Sequence, residues 1–330
     1  MGHVYQSMAL AGAIEAEGDQ VEFVVPDYPA GLEKFKQGHW PILAVPRHLK
    51  EAERIAYIDA RLEGEVDVAV LDILESSAQL ARYWSGRAAL LAAIDEIGPG
   101  RVHADLLFNV IHRPPRPPGA AYEEINRLDH VILRPEFARD TAPAPCAERV
   151  RRILVSQGGS DTFGGLVHLV GELAAVPPDV EIDLVLGPAF AHEEPLAEAI
   201  AAAGRPFSLQ RDVRDMAGLM RRCDLAVSGG GKTLFELAAL GVPFIAVTEE
   251  PRELETIDIV ARDVLCEKIG LRSQAGGQVR RTVLRLLDDA PRRQAMRLAG
   301  QQAVGGRGAQ LVARRIGVAW RREESRALSV

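Results

Sequence analysis

Cysteine is scarce in this chain: three in 330 residues, Cys146, Cys223 and Cys266, far apart and without CxxC spacing. That count excludes a disulfide framework and fits reduced thiols in the cytoplasm, each acting as a small buried hydrophobe. Long apolar runs are lacking as well. None approaches the roughly 18 residues of a membrane span, and no signal peptide is read at the start, so no stable membrane insertion is expected. Positive charge is in deficit, with 39 Lys and Arg against 46 Asp and Glu. The resulting −7 argues against the basic face of a nucleic-acid-binding protein. It leaves local phosphate binding open, because a few backbone N–H groups suffice for that. No internal repeat, low-complexity tract or convincing metal-ligand cluster is read, and no cofactor or protein partner is implied.

What is present is an alternation of short β-rich runs with Ala/Leu-rich helical stretches, the pattern of parallel α/β sheets. In the first half, strands are expected at 21–26, 42–46, 66–72, 90–95 and 106–110, with helices at 4–17, 51–62 and 77–86. The run His112-Arg113-Pro114-Pro115-Arg116-Pro117-Pro118 can continue neither a helix nor a central strand and reads as an ordered surface loop. The segment 140–148 is the expected domain boundary. Beyond it the pattern restarts with strands at 152–157, 182–187, 207–210, 225–228 and 244–248. The expected fold class is therefore α/β, with two Rossmann-like parallel-sheet domains at 1–145 and 146–330, the second ending in a helical tail from Pro291. A helix beginning near Val4 should follow a strand, so the first strand of the N-terminal domain is expected to be missing.

The strongest local feature is DLAVSGGGKTLFELAALGVP at 224–243. A hydrophobic strand runs into Gly229, Gly230 and Gly231, and a helix opens at Thr233. Glycine permits a tight turn and close approach of a ligand, while the N–H groups of a helix start with the dipole behind them attract anions. A diphosphate is the natural guest. Thr233-Leu234-Phe235-Glu236 also reads as a T-x-x-E capping box, so Glu236 either satisfies its own helix or reaches a ribose hydroxyl. A P-loop is a rival, since Gly231-Lys232-Thr233 ends like G-x-x-x-x-G-K-T; its first glycine would fall at 226, which is Ala226 within the strand. A second glycine turn, Gly158-Gly159-Ser160-Asp161, follows the first strand of this half. It too lies at a strand's C-terminal end, where open α/β sheets bind ligands.

The GGSD turn and the SGGGKTLFELAALGVP unit resemble the UDP-sugar hydrolase of pseudaminic acid biosynthesis and the related spore-coat polysaccharide biosynthesis proteins. More distantly they are similar to the lipid II N-acetylglucosaminyltransferase. Gly2-His3-Val4, Val66–Leu71 followed by Asp72, Ile94-Asp95-Glu96 and the ADLLFN run from Ala104 to Asn109 extend the likeness into the first half. The resemblance implies a GT-B fold whose two domains face a cleft, with a nucleotide-sugar as substrate. It places Gly230, Gly231, Lys232 and Thr233 by the diphosphate and Glu236 at the ribose. Gly159, Ser160 and Asp161 approach the sugar or phosphates. His3 is then the general base, with Gly2 and Asp72 beside it at the substrate. The imidazole suits that role, because it exchanges a proton near neutral pH. No metal is required in this scheme.

The chain departs from the family pattern G-H-x-x-R in having Gln6 where the arginine would stand. It also carries Glu249-Glu250-Pro251-Arg252-Glu253-Leu254-Glu255-Thr256 where a sugar-binding amide pair is usual. That acidic stretch is read either as a substrate loop or as a solvated charged loop. The expected activity is release of the nucleotide from a UDP-sugar, with hydrolysis favoured by the GGSD turn and the Asp72 and Asp95 strand ends. A glycosyltransferase using an acceptor hydroxyl, a non-catalytic nucleotide-sugar-binding protein and a sugar-nucleotide 2-epimerase stay open beside it.

Overall fold

The computed structural model describes residues 2–138 and 145–327 of the chain. It divides into two compact units, Met1–Pro135 with Arg307–Val330, and Glu136–Gly306. Most of the expected boundary segment, 140–144, lies outside the described residues.

The first unit opens with α1 (Gly2–Ala16), β1 (Phe23–Pro26), α2 (Pro29–Phe35), β2 (Ile42–Val45) and α3 (Glu51–Asp59). It continues through β3 (Val66–Leu71), α4 (Ala78–Arg87), β4 (Ala88–Ile94), β5 (Leu106–Phe108) and β6 (Glu123–Ile125). β1 and β2 pair in parallel as a two-stranded sheet, and β3-β4-β5-β6 form a four-stranded parallel sheet. Among the described residues no strand precedes α1. β4 is the buried middle of its sheet: Leu90 through Ile94 are each at most 3% exposed. Such a continuous apolar run is what a parallel strand covered on both faces requires. The Pro-rich loop is ordered by arginine. Arg101 donates to the Pro115 carbonyl at 2.8 Å, Arg113 to that of Asn126 at 2.8 Å, and Arg116 lies over the Tyr122 ring.

The second unit runs β7 (Arg152–Ser156), α5 (Gly165–Leu173), β8 (Glu181–Val185), α6 (Glu193–Ala203), β9 (Ser208–Gln210) and α7 (Met216–Arg221). Then come β10 (Leu225–Ser228), α8 (Thr233–Leu240), β11 (Phe244–Thr248), α9 (Leu254–Asp263), β12 (Glu267–Leu271), α10 (Gln278–Asp288) and α11 (Ala290–Val304). Its strands form one parallel sheet in the order β12-β11-β10-β7-β8-β9. The chain order reverses between β10 and β7, which makes their C-terminal ends the topological switch point where doubly wound sheets take ligands.

The tail divides otherwise than expected. After Gly305 and Gly306, both with positive φ (65° and 72°), α12 (Gly308–Ala327) joins the first unit. Ala309, Val312, Ala313 and Ile316 pack against Ala9, Leu10 and Ala13 of α1 and against Leu90, Ala92 and Phe108. Gly308 has to be glycine, since a Cβ there would lie 1.9 Å from the Val131 carbonyl oxygen. The spacing 309, 312, 313, 316 advertises an apolar helix face but cannot say which core receives it. No helix among the described residues is long and apolar enough to cross a membrane.

Candidate functional site

In the first unit, α1 and the end of β3 assemble a carboxylate-centred cluster. His3, Gln6 and Ser7 stand at i, i+3 and i+4, hence on one helix face. All three converge on Asp72. His3 Nδ1 lies 2.6 Å from Asp72 Oδ1, Gln6 Nε2 donates to the same oxygen at 2.8 Å, and Ser7 Oγ donates to Oδ2 at 2.6 Å. The Asp72 side chain is 9% exposed and that of His3 is 51% exposed, so the ring reaches solvent while its partner is enclosed. Gly2 is exposed, and nothing lies within 4 Å of where its Cβ would be.

The neighbouring strand ends serve the backbone. Asp95, at φ 51°, accepts from the Ile111 N–H, and the fully buried Glu96 accepts from the N–H groups of Ser76 and Gly98. Asn109 donates to the Glu96 carbonyl at 3.1 Å.

In the second unit the two glycine turns sit side by side, because Ser156 at the end of β7 is in register with Ser228 at the end of β10. Gly158 takes φ 77°, whereas Gly159, Gly229, Gly230 and Gly231 do not have positive φ. Of these four, Gly230 is the one that lacks space, while a Cβ on Gly159 would meet nothing within 4 Å. A Cβ on Gly230 would meet Glu253 Cβ at 2.6 Å, the Glu253 carbonyl oxygen at 2.7 Å and Ile257 at 3.0 Å. A third glycine completes this edge: a Cβ on Gly187, beyond β8, would come 2.3 Å from the Gly159 oxygen. The Ala189 N–H donates to that same oxygen at 3.0 Å. Ser160 and Thr162 pair their hydroxyls at 3.0 Å on the exposed side of the turn.

Asp161 is committed to its own helix. Its two oxygens accept from the N–H groups of Gly165 (2.6 Å) and Leu166 (3.0 Å) at the start of α5. Burial raises its pKa, against the lowering effect of those bonds. Replacing Asp161 with alanine should therefore lower unfolding stability by about 0.5–2 kcal/mol, the usual loss for a helix cap. Asparagine, which tolerates the φ of 44° and keeps an acceptor, should retain most of it; urea unfolding of both variants checks this.

The helix start at α8 differs from the capping-box reading. Lys232, not Thr233, holds the N-cap position, and no side chain caps the helix. Leu234 and Phe235 donate their N–H groups to the carbonyls of Gly231 and Lys232. The N–H groups of Gly231 and Thr233 have no acceptor among the described residues. Gly231, Lys232, Thr233 and Glu236 are all half-buried, on the first turn or just before it. The remaining turn donor is engaged by a residue that sequence reasoning left in a loop. Gly230 N–H donates to Glu253 Oε2 at 2.7 Å, and Thr248 Oγ donates to the same atom at 2.6 Å. The acidic stretch is thus partly structural: Glu253 ties the segment after β11 onto the glycine turn, and Glu249 pairs with Arg272. No spacing rule marks Glu253, Thr248 or Ser7; Gly187, a glycine at a strand end like the other two turns, could have been found.

The fold is shared with known structures. Acinetobacter baumannii MurG matches with a TM-score of 0.66 at 16% identity, over 96% of each chain. The chain has the GT-B fold. By sequence it is similar to the spore coat polysaccharide biosynthesis protein SpsG of Bacillus subtilis, 24% identical across 93% of this chain and 91% of that protein. Over 35% of its length it is 35% identical to a Pseudomonas putida transferase, covering 32% of that protein. That protein is the UDP-N-acetylglucosamine–N-acetylmuramyl-(pentapeptide) pyrophosphoryl-undecaprenol N-acetylglucosamine transferase. No family model matches the chain. These likenesses agree with the family resemblance read from the glycine motifs.

Proposed function

We propose that this protein is a glycosyltransferase that takes its sugar from a UDP-sugar donor. The observation that carries the reading is the pair of N–H groups on Gly231 and Thr233, without acceptors among the described residues, at the start of α8 and the switch point of the second sheet. Oriented N–H dipoles at a helix N-terminus are suited to a diphosphate, and more so as charge builds on it during departure. Lys232 adds a cation beside them, and Glu236 in the first helical turn takes the ribose hydroxyls in this reading. The similarity to a UDP-N-acetylglucosamine transferase supports uridine as the base.

His3 then acts as general base. Its free ring nitrogen takes the proton of an acceptor hydroxyl, whose oxygen bonds to the anomeric carbon. The bond from that carbon to the diphosphate oxygen breaks, and the electron pair leaves with UDP. The sequence features that favour hydrolysis are the GGSD turn and the Asp72 and Asp95 strand ends. With Asp161 capping α5 and Asp95 accepting from Ile111, those residues no longer favour water over an acceptor.

Calorimetric titration with UDP, ADP and dTDP tests the donor site. UDP should bind selectively, and Glu236→Ala should weaken it; absence of binding by any of the three would refute the assignment. Incubation with UDP-N-acetylglucosamine or UDP-glucose and no acceptor should release little free sugar. Rapid release would return the reading to hydrolysis.

A further inference from the structure

We infer that Asp72, clamped by Ser7 and Gln6, is the positioning residue that fixes the His3 proton on Nδ1 and presents Nε2 as the base. This rests on the proposed role of His3, and it changes the part given to Asp72 from contacting substrate to acting through the histidine.

The argument starts from the carboxylate. An ionised aspartate only accepts hydrogen bonds, so an imidazole nitrogen 2.6 Å from Oδ1 must carry its proton. The Nδ1–H form follows, and the lone pair of the neutral ring is then on Nε2. A neutral histidine without a partner favours the opposite tautomer, with the proton on Nε2 and no basic nitrogen at the ring's outer end. A fixed acceptor at Nδ1 is what reverses that preference.

Fixing the acceptor needs more than one contact. Oδ2 is held by Ser7 and Oδ1 is shared by His3 and Gln6, so the carboxylate plane is set from α1 on both sides. Enclosure of the Asp72 side chain strengthens these bonds, since there is little water to compete. The positive end of the α1 dipole also favours a carboxylate there.

Gln6 gives the arrangement its specificity. It is 3% exposed and donates through a neutral amide, which adds no cation to the cluster. A guanidinium at that position would form a bidentate pair with the carboxylate and displace the imidazole from it. Neutrality at position 6 therefore leaves the charge of Asp72 directed at His3.

The test reads the tautomer directly, on the full-length protein labelled with 15N-histidine. Long-range 1H–15N correlation spectra are recorded above the imidazole titration range, and the His3 signal among the 8 histidines is found by its loss in His3→Gln. The wild type should show the Nδ1–H pattern. Asp72→Ala and Gln6→Arg should both convert His3 to the Nε2–H pattern. In both variants turnover of UDP-N-acetylglucosamine should fall roughly 10- to 100-fold in kcat with KM for the donor within about twofold, a share of the usual general-base contribution. Ser7→Ala keeps Asp72 in place with one clamp fewer and should show a mixture of the two patterns. An Nε2–H pattern in the wild type, or an Nδ1–H pattern surviving in both Asp72→Ala and Gln6→Arg, overturns the inference. A wild type with the Nδ1–H pattern that binds none of UDP, ADP and dTDP would sink the proposed function instead and leave the tautomer assignment standing.

Discussion

Replacing His3 with alanine should lower kcat by about 10²–10⁴-fold, the usual contribution of a positioned general base. UDP affinity should stay as it is. The proposed donor site takes the turns at 158–161 and 229–233 with Gly187 and Glu253, all within the second unit, whereas His3 belongs to the first. The split between an unchanged binding isotherm and a collapsed turnover number is the informative result. Equal losses in both would mean that the substitution disturbs the fold of α1. An unchanged kcat would require another base, and the half-exposed ring would then be an ordinary surface histidine.

A second large effect is expected from Gly230→Ala. The added methyl would meet the Cβ and carbonyl oxygen of Glu253 and the side chain of Ile257, two of them closer than carbon contacts allow. Since Glu253 is held by the Gly230 N–H itself and by Thr248, the segment before α9 cannot yield without breaking those bonds. Overpacking of this kind costs about 1–3 kcal/mol. Because the displaced backbone carries the N–H groups proposed to hold the diphosphate, UDP affinity should fall by about tenfold for each 1.4 kcal/mol lost at the site. Differential scanning calorimetry beside titration with UDP separates the two consequences. A variant with wild-type affinity and wild-type melting temperature would show that Gly230 has room its surroundings do not indicate. The same logic distinguishes Gly230 from Gly2, where a methyl meets nothing and alanine should be neutral in both measurements.

The contrast between these two glycines shows where sequence reading reaches its limit. Both stand in motifs, and a motif treats its glycines alike. The reason for Gly230 lies in a residue 23 positions on, whose approach is decided by how the segment after β11 folds back. Likewise Asp161 stands within a phosphate-like turn, yet its oxygens go to the N–H groups of α5, four and five residues later.

What the sequence determined by itself is what repeats locally. Alternating apolar runs and helical stretches placed ten of the twelve strands among the described residues, and the strongest of them, β4, β7, β10 and β11, are those whose neighbours bury both faces. Edge strands such as β6, with Glu123 and Glu124 before its single isoleucine, and β12, with Glu267 and Lys268, carry too little apolar signal to stand out. The short α2 behind Pro29 escapes for the same reason. The glycine turns were legible because a helix start after a strand is a local event. Only the tertiary structure decided that α12 completes the core of the first unit, that the two glycine turns are neighbours, and that His3, Gln6 and Ser7 close on Asp72, some 65 to 69 residues away. Periodicity records which face of an element is buried, while the partner of that face is settled by packing over distances at which the sequence carries no periodic trace.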